Sequence, residues 1–349
     1  MTERPLYILP FRVVVLAIVG VFLLGFLGGT LGSWLTVRRL LRVTPGGERI
    51  VERIERVTVT PEDALAAAAR ESASSIVTIL DATGRDSGQA VAVTADGVFS
   101  GVGPLPKAPV QLRLSSGETR PASIMRVYPE SALFFLRAPG SYPVPVLEQD
   151  GIPPAGATLA AVALSPAESV GVRVHLVTVE QTEVSGAVLE KYPALALVPR
   201  LAQVLPPSFR GAPLLSADRR LRGLALIEPS ATVVLPSPVI NFYLQDALKY
   251  PDGVSVSVLS GLQGRTRVVQ TDREPPTFAF QVTEVGAGSI WDAQGLVSGD
   301  EIQQVNGQPL AGVSPLARPF LEAARLGKPV TLEIRRGAEK LTRQVAITL

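Results

Sequence analysis

The sequence predicts a mainly β protein with an apolar helix at its N-terminus, an all-β domain in the middle and an α+β domain at its C-terminus. Three observations lead to this fold class. Residues 13–31 are apolar and uncharged, residues 75–248 contain short strand-like segments separated by Gly, Pro and Asp turns, and residues 250–349 mix strand and helix patterns. A chain of 349 residues has room for two globular domains and a segment outside them.

The composition argues against several classes of function. Lys and Arg number 33 against 31 Asp and Glu, so the net charge is only +2, and no basic run predicts a nucleic-acid partner. The absence of cysteine excludes disulfides, thiolate metal sites and cysteine nucleophiles. Because the chain also has a single histidine, His175, we predict neither a metal site nor a cofactor.

The N-terminus is predicted to anchor the protein in a membrane. After a tail of residues 1–12, the apolar stretch is long enough to span a hydrocarbon core of about 30 Å as a helix. A cleavable signal peptide is the alternative, but the stretch is long for one and no small-x-small cleavage site precedes Trp34. We therefore predict a transmembrane anchor over residues 13–35, followed by a stalk over residues 36–61.

The middle domain is predicted to begin with a helix. Thr60 is a good N-cap, Pro61 suits the first helical position, and two acids follow in the first turn. The alanine-rich helix is expected over residues 62–72, and the strand-like segments that follow predict an all-β sandwich or barrel. A last helix is expected over residues 238–248, so the domain spans residues 62–249.

One loop of this domain carries a recognisable motif. Residues 206–215 read PPSFRGAPLL. This segment resembles the nucleophile loop of trypsin-like serine proteases of the HtrA/Deg family, and it keeps the second half of that loop as Gly211, Ala212, Pro213 and Leu214. The resemblance implies a trypsin-like double β-barrel. It also places Arg210 where the family has its nucleophilic serine, and an arginine has no nucleophilic oxygen.

Two further segments resemble the same family. Residues 88–97 (GQAVAVTADG) are similar to the strand and turn that precede the catalytic histidine, which then falls on Pro104. Residues 128–136 are similar to the segment of the catalytic aspartate, which falls on Ala132. The mechanism requires a hydroxyl, an imidazole and a carboxylate. With all three replaced, the resemblance implies a protease fold without catalysis.

Alternatives at this site stay open. Ser208, which stands where the family's oxyanion loop has glycine, offers a displaced nucleophile if a water-mediated base assists it. His175 lies in an alternating strand away from the family's histidine position and is predicted to be structural or exposed. Arg210 either holds a carboxylate in place of a substrate carbonyl or simply fills the vacated pocket.

Residues 250–349 resemble a bacterial PDZ domain. Residues 294–302 (QGLVSGDEI) and 305–310 (VNGQPL) reproduce two of its motifs, and Asn306-Gly307 predicts a two-residue hairpin turn. A helix is expected over residues 315–325 with Gly327 as its cap, and Pro319 is expected to kink it.

The resemblance implies that an extended C-terminal peptide adds to this domain as a strand, with its carboxylate held by backbone amides. The groove residues expected from the motif belong to a carboxylate loop, a strand and a helix: Leu259, Ser260, Gly261, Leu262, Phe280, Val282, Phe320 and Ala324.

The sequence thus predicts a membrane-anchored pseudoprotease that binds protein C-termini or unfolded segments as a scaffold, a chaperone-like holder or a regulator of active proteases. Trimers, with itself or with related proteins, are implied by the resemblance. The arginines after the apolar stretch outnumber those before it, which favours a cytoplasmic location of the domains, whereas the resemblance implies an extracytoplasmic one, which we prefer. The alternatives are an active serine endopeptidase with a displaced catalytic set, serving envelope protein quality control, and a stalked structural protein with a vestigial groove.

Overall fold

The computed structural model describes residues 60–149, 151–165, 171–181, 188, 191–196, 198–250, 255–270, 277–312 and 314–347. The chain divides into two compact units, Met1–Thr58 and Val59–Leu349, and the fold below is that of the second. The predicted tail, the membrane anchor and nearly all of the stalk lie outside the described residues. Within them, no helix has both the length and the apolar character needed to cross a bilayer.

The first helix begins where the sequence predicts. Helix α1 spans Pro61–Ser72, and the Thr60 hydroxyl caps it by accepting a hydrogen bond from the Asp63 amide at 3.2 Å. Its Leu65, Ala68 and Ala69 face the core and are buried. The predicted cap is confirmed, and the helix starts one residue earlier than expected because Pro61 itself takes the first position.

Six antiparallel strands then close into a barrel. Their order around it is β1-β2-β3-β6-β5-β4, and β1 closes the ring by pairing with both β2 and β4. The strands are β1 (Ile76–Leu80), β2 (Asp86–Ala92), β3 (Val98–Val102), β4 (Val110–Leu114), β5 (Thr119–Tyr128) and β6 (Leu133–Arg137).

A second ring of six strands follows in the order β11-β8-β9-β10-β13-β12, closed by pairing of β12 with β11, and β7 joins β12 in parallel. The strands are β7 (Val146–Leu147), β8 (Thr158–Leu164), β9 (Val172–Gln181), β10 (Arg200–Leu201), β11 (Pro213–Leu215), β12 (Arg220–Glu228) and β13 (Ala231–Pro236). Helix α2 (Ser237–Lys249) ends this part of the chain, close to the predicted position.

The C-terminal part is an α+β unit built on one sheet in the order β14-β15-β17-β16-β18-β19. Among the described residues β14 has a strand neighbour on one side only, so it is an edge strand. The elements are β14 (Leu262–Gln270), β15 (Thr277–Val285), α3 (Ile290–Ala293), β16 (Glu301–Val305), β17 (Gln308–Ala311), α4 (Ala317–Arg325), β18 (Val330–Arg336) and β19 (Glu339–Val345).

Local sequence signals explain two features of this unit. Asn306 and Gly307 have φ values of 53° and 71°, as the predicted hairpin turn between β16 and β17 requires. Helix α4 begins at Ala317, two residues later than expected, which makes Pro319 its third residue. Since amides of the first helical turn have no helical acceptor, the proline removes no helical hydrogen bond, and the reason for the expected kink disappears.

The barrel interiors form separate apolar clusters, one around Phe99 and Leu136 and the other around Phe209 and Leu214. A third and larger cluster joins α1, the outer surfaces of both barrels, α2 and the C-terminal unit. The loop that enters β11 from Phe209 therefore lies where the second barrel meets the first.

Candidate functional site

The loop before β11 is fixed to the first barrel by its backbone. The Gln89 amide on β2 donates to the Arg210 carbonyl at 2.7 Å. The next residue, Gly211, has a φ of 73°, and a Cβ placed there would lie 2.2 Å from the Gln89 carbonyl oxygen. Only glycine fits this close approach. The loop geometry thus depends on a residue that the sequence motif retains.

The three positions expected from the protease motif meet at this barrel boundary. The Gly103 amide donates to the Ala132 carbonyl at 2.9 Å, and Pro104 follows Gly103 directly. The Arg210 side chain lies against Gly103, with its Cδ 3.1 Å from where a Cβ would be. Ala132 is buried and has a φ of 56°, which is unusual for a residue with a side chain. The fold therefore gathers Pro104, Ala132 and Arg210 into one site.

Arg210 has unused hydrogen-bonding capacity. The residue is partly buried, and its Nε is a buried donor without an acceptor. In the described part of the chain, no carboxylate lies within ion-pair distance of its guanidinium. An arginine side chain offers five N–H donors and stays protonated, so this site presents a positive charge and not a nucleophile.

The backbone amide of Arg210 is turned into its own loop. It donates to the Pro207 carbonyl at 3.0 Å, as the Phe209 amide does to Pro206 at 2.9 Å. In trypsin-like proteases the amides of the nucleophile and of the residue two positions earlier form the oxyanion hole. In this conformation the Arg210 amide is already engaged, so it cannot stabilise a developing oxyanion without a change of the turn.

Ser208 faces an arginine and not a base. Its Oγ accepts a hydrogen bond from Nη1 of Arg173 at 3.2 Å. The Arg173 guanidinium also donates to the Leu164 carbonyl at 3.4 Å and lies 5.3 Å from the centre of the Phe209 ring. Because arginine keeps its proton, it cannot remove one from a serine hydroxyl. This contact does not provide the base that a displaced catalytic set requires.

His175 lies on β9 opposite Ala161 and is exposed, as the alternating strand pattern predicts. Its ring meets that of Phe209 edge-on, with centroids 4.8 Å apart. The polar group bound to Ser208 is Arg173, two residues before the histidine. The arrangement gives His175 a packing contact on the strand surface.

The loop expected to hold a carboxylate is a tight turn. The Leu262 amide donates to the Leu259 carbonyl at 2.8 Å, and Gly261 has a φ of 77°. Two other groups fix the loop carbonyls, since the Trp291 indole donates to Ser260 at 2.9 Å and the Gly286 amide donates to Gly261 at 2.7 Å.

The loop also offers free donors. Ser260 and Gly261 are exposed, and within the described residues their amides donate to no acceptor. An open cavity of about 450 Å³ adjoins both residues and is also lined by the loop from Gly286 to Ile290. Two neighbouring exposed amides of this kind can bind a carboxylate.

The strand next to this loop differs from the expected one. Strand β14 follows the loop directly and is the edge strand, with Leu262 and Thr266 facing inward. Phe280 and Val282 lie on β15, which pairs with β14 on one side and with β16 and β17 on the other. Both edges of β15 are taken and these two side chains are 0% and 1% exposed, so they cannot accept an added strand.

The two groove residues expected on helix α4 differ in their exposure. Phe320 is fully buried and packs edge-on against Trp291, with ring centroids 5.3 Å apart. Ala324, four residues later, is partly exposed. Phe320 therefore belongs to the core beneath the helix, while Ala324 lies closer to its surface.

Sequence reasoning missed a set of contacts that join the C-terminal unit to the barrels. The carboxylate of Glu130, two residues before Ala132, accepts hydrogen bonds from the Ser257 hydroxyl at 2.5 Å and from the Leu259 amide at 2.9 Å. These partners are more than a hundred positions apart in the chain. No local pattern in the sequence indicates such a pairing.

A buried ion pair completes the connection. Asp246 on α2 receives two hydrogen bonds of 2.9 Å from Arg325 on α4 and one of 2.6 Å from the Tyr128 hydroxyl. Burial first, and the bond to Asp246 second, raise the pKa of Tyr128 well above its ordinary value, so the hydroxyl remains a donor. Burial opposes the charge of Arg325, but its bonds to Asp246 outweigh this and raise its pKa.

Comparisons with known proteins agree with this description. Residues 247–335 match the PDZ domain family, so the chain contains a PDZ domain. No curated protein matches the sequence.

Solved structures extend the likeness to the barrels. A serine endoprotease from Yersinia pestis is 14% identical with a TM-score of 0.55, over 81% of this chain and 97% of the other. The HtrA-type protease AlgW with a decapeptide is 17% identical with a TM-score of 0.55, over 82% and 98%. AlgW with a tripeptide is 17% identical with a TM-score of 0.57, over 81% of this chain and 96% of the other. The chain therefore has the fold of HtrA-type serine proteases, a trypsin-like double barrel followed by a PDZ domain.

Proposed function

We propose that this protein is a membrane-anchored HtrA-like pseudoprotease, which binds the C-termini or unfolded segments of other proteins without cleaving them. Residues 13–35 anchor it, and its folded domains lie outside the cytoplasmic membrane. The observation that carries the proposal is Arg210, which stands at the nucleophile position with its amide engaged by Pro207. The protein then acts as a scaffold, a holder of unfolded envelope proteins or a regulator of active proteases.

The loss of catalysis is expected to be severe. The site has Pro104 and Ala132 where a base and its orienting carboxylate would be needed, and Arg210 in place of the attacking hydroxyl. Removal of a nucleophile or base lowers kcat by about a millionfold in proteases of this mechanism. Loss of an oxyanion donor costs a further factor of about a hundred or more.

Binding is supported by the PDZ domain. The exposed amides of Ser260 and Gly261 suit a terminal carboxylate, and the free side of β14 suits the backbone of an extended peptide. In this arrangement the peptide lies beside β14, and the roles expected of Phe280 and Val282 pass to residues of β14. The ligand is thus a segment with a free C-terminus.

The test uses the full chain in detergent with a peptide library that carries a fluorophore and a quencher and has free C-termini. Polarisation reports binding, and fluorescence release reports cleavage in the same sample. We expect binding without cleavage, and loss of binding when the C-termini are amidated. Cleavage of the library would contradict the proposal, and equal binding of the amidated library would contradict recognition of a free C-terminus.

A matched pair of glycine variants locates the site. Gly261→Ala places a Cβ 2.6 Å from the Ser289 Cβ, whereas Gly337→Ala, at a similar left-handed φ of 60°, meets nothing within 4 Å. Both carry backbone strain of about 1 kcal/mol, but only the first distorts the carboxylate loop. We expect Gly261→Ala to lose peptide binding and Gly337→Ala to retain it.

We further propose that the protein forms trimers, alone or with related proteins. The basis is its likeness in fold to HtrA-type proteases. Light scattering of the full chain in detergent, corrected for the bound micelle, would give three times the chain mass. A monomer mass across the working concentration range would contradict homotrimer formation.

A further inference from the structure

We propose that the vacated nucleophile position is a second ligand site, which binds a carboxylate through Arg210 with Arg173 as an additional positive charge. This site is separate from the PDZ loop. Binding of a carboxylate at the barrel boundary would depend neither on cleavage nor on peptide binding by the PDZ domain.

The first observation is the unpaired state of Arg210. Its Nε is buried without an acceptor, and no carboxylate of the described residues lies within ion-pair distance. A buried donor that finds no acceptor destabilises the protein, so natural structures satisfy nearly all of them. An arginine kept in this state is explained if its acceptor arrives with a ligand.

The second observation is that Arg210 is held in place. Its backbone carbonyl binds the Gln89 amide at 2.7 Å, and its own amide binds the Pro207 carbonyl at 3.0 Å. Its side chain lies against Gly103, where a Cβ would come within 3.1 Å of Cδ. Because the first barrel supports the stem of the side chain, less conformational entropy is lost when the guanidinium binds an anion.

The third observation is a second guanidinium, that of Arg173 on β9, which contacts the same loop. Arg173 donates to the Ser208 hydroxyl at 3.2 Å and lies over the Phe209 ring, and its Nε is likewise buried without an acceptor. Ser208 and Arg210 are two positions apart in the sequence. Within the described part of the chain, Arg173 also has no carboxylate within ion-pair distance. Arg210 on the loop and Arg173 beside it thus place two positive charges here, and no described acid neutralises either of them.

These features define the ligand by its chemistry. A planar guanidinium matches the two oxygens of a carboxylate and binds it through parallel hydrogen bonds. A neutral amide carbonyl offers one oxygen and no charge, so it is a poorer partner. The carboxylate is either the C-terminus of a peptide or the side chain of Asp or Glu within one.

The direct test is protection of Arg210 from phenylglyoxal, measured by peptide mass spectrometry on the full chain in detergent. Arg325, which donates two hydrogen bonds to the Asp246 carboxylate and is mostly buried, serves as the unreactive reference. We expect Arg210 to react faster than Arg325. We also expect acetate to slow its modification and acetamide at the same concentration to have no effect.

Two tripeptides distinguish the source of the carboxylate. N-acetyl-Ala-Ala-Ala has a free C-terminus, and N-acetyl-Ala-Glu-Ala-amide has only a side-chain carboxylate. Protection by either supports the site and identifies which source it accepts. Failure of Arg210 to react, or its reaction at the same rate with and without these carboxylates, would overturn the proposal.

A pair of variants tests the same site through stability. Since no described carboxylate pairs with Arg210, we expect that Arg210→Met does not lower the melting temperature. The matched control is Arg137→Met, which removes an exposed arginine paired with exposed Asp96. We expect the rise in melting temperature given by N-acetyl-Ala-Glu-Ala-amide to remain in Arg137→Met. In Arg210→Met its affinity should fall about ten- to hundredfold.

Two results would count against the site. Destabilisation by Arg210→Met beyond that of Arg137→Met would show that the guanidinium already has an internal partner. Equal stabilisation of both variants by the tripeptide would show that the carboxylate binds elsewhere.

Discussion

Replacement of Arg325 by methionine is expected to weaken the attachment of the PDZ domain to the barrels. Arg325 and Asp246 are 14% and 7% exposed and share two hydrogen bonds of 2.9 Å. The substitution leaves the Asp246 carboxylate buried with the Tyr128 hydroxyl, which still donates to it at 2.6 Å. The loss comes mainly from this uncompensated charge, because methionine retains the apolar stem of the arginine.

The magnitude follows from the burial of the pair. Breaking a buried ion pair by removal of one partner costs about 3–5 kcal/mol, and the remaining Tyr128 bond places this case near the lower value. We therefore expect Arg325→Met to lower the free energy of unfolding by about 3 kcal/mol. Neutralising Asp246 as well, in the double variant with Asp246→Asn, should restore about 2 kcal/mol, since the buried charge is then absent.

The assay is urea unfolding in a Trp34→Phe background, in which Trp291 is the single tryptophan. Trp291 is fully buried and packs against Phe320, which lies on the helix that carries Arg325. At a slope of about 1–3 kcal/mol/M, a loss of 3 kcal/mol lowers the midpoint by about 1–3 M. Arg318→Met is the matched control, because Arg318 lies on the same helix but pairs with Glu322 while both are mostly exposed. That surface pair contributes about 0.5 kcal/mol, and the contact of the Arg318 guanidinium with the Phe242 ring, 5.3 Å from its centre, adds at most about 1 kcal/mol. Equal midpoints for the two variants would refute the reasoning.

Three other changes have defined outcomes. Stability of the PDZ domain should fall as the pH drops below about 4. Burial alone would raise the pKa of Asp300, but its bonds to Arg336 outweigh this and lower the pKa below the ordinary 3.8. Asp300→Asn should remove this dependence of the unfolding free energy on pH, measured by urea titration. Gly211→Ala should lower the melting temperature of the barrels, since its Cβ would lie 2.2 Å from the Gln89 carbonyl oxygen. Glu130→Gln should lower the urea midpoint of Trp fluorescence by an amount that corresponds to about 1 kcal/mol, because bonds to a charged acceptor are the stronger ones.

Each of these has a control. Because the pKa of Asp300 is lowered in the folded state, its contribution to stability is present above pH 3.8 and is lost as the pH falls through the folded-state pKa. The same loss of stability at low pH in Asp300→Asn would contradict the assignment. Gly84→Ala, also at positive φ but with nothing within 4 Å, should cost less than Gly211→Ala. Glu118→Gln, which removes an exposed charge beside Arg120, should leave the midpoint nearly unchanged.

Local sequence signals predicted the parts of the fold that depend on neighbouring residues. The Thr60 cap and the turn at Asn306-Gly307 each follow from backbone chemistry within a few positions. The motif positions Pro104, Ala132 and Arg210 gather at one place because the barrel fold brings them there. Whether that place is catalytically inactive stays a prediction that activity measurements must test.

Two features could not be predicted from local sequence signals: the long-range contacts between domains, and which strand lies at the edge of the PDZ sheet. The pairing of Asp246 with Arg325 joins residues 79 positions apart, and neither side chain stands out in its own helix. The resemblance to the PDZ motif placed the bound peptide beside the strand of Phe280 and Val282, which follows the predicted carboxylate loop in the sequence. In the structure this strand, β15, has neighbours on both sides, and the edge among the described strands belongs to β14.

The central claim, binding without cleavage, is tested most directly by fluorophosphonate labelling of the full chain in detergent, with an active trypsin-like protease as the positive control. We expect no labelling of the wild-type chain and no cleavage of casein. Labelling that disappears in Ser208→Ala and survives in Arg210→Ala would contradict it, because it would show that Ser208 is an active nucleophile despite its bond to Arg173.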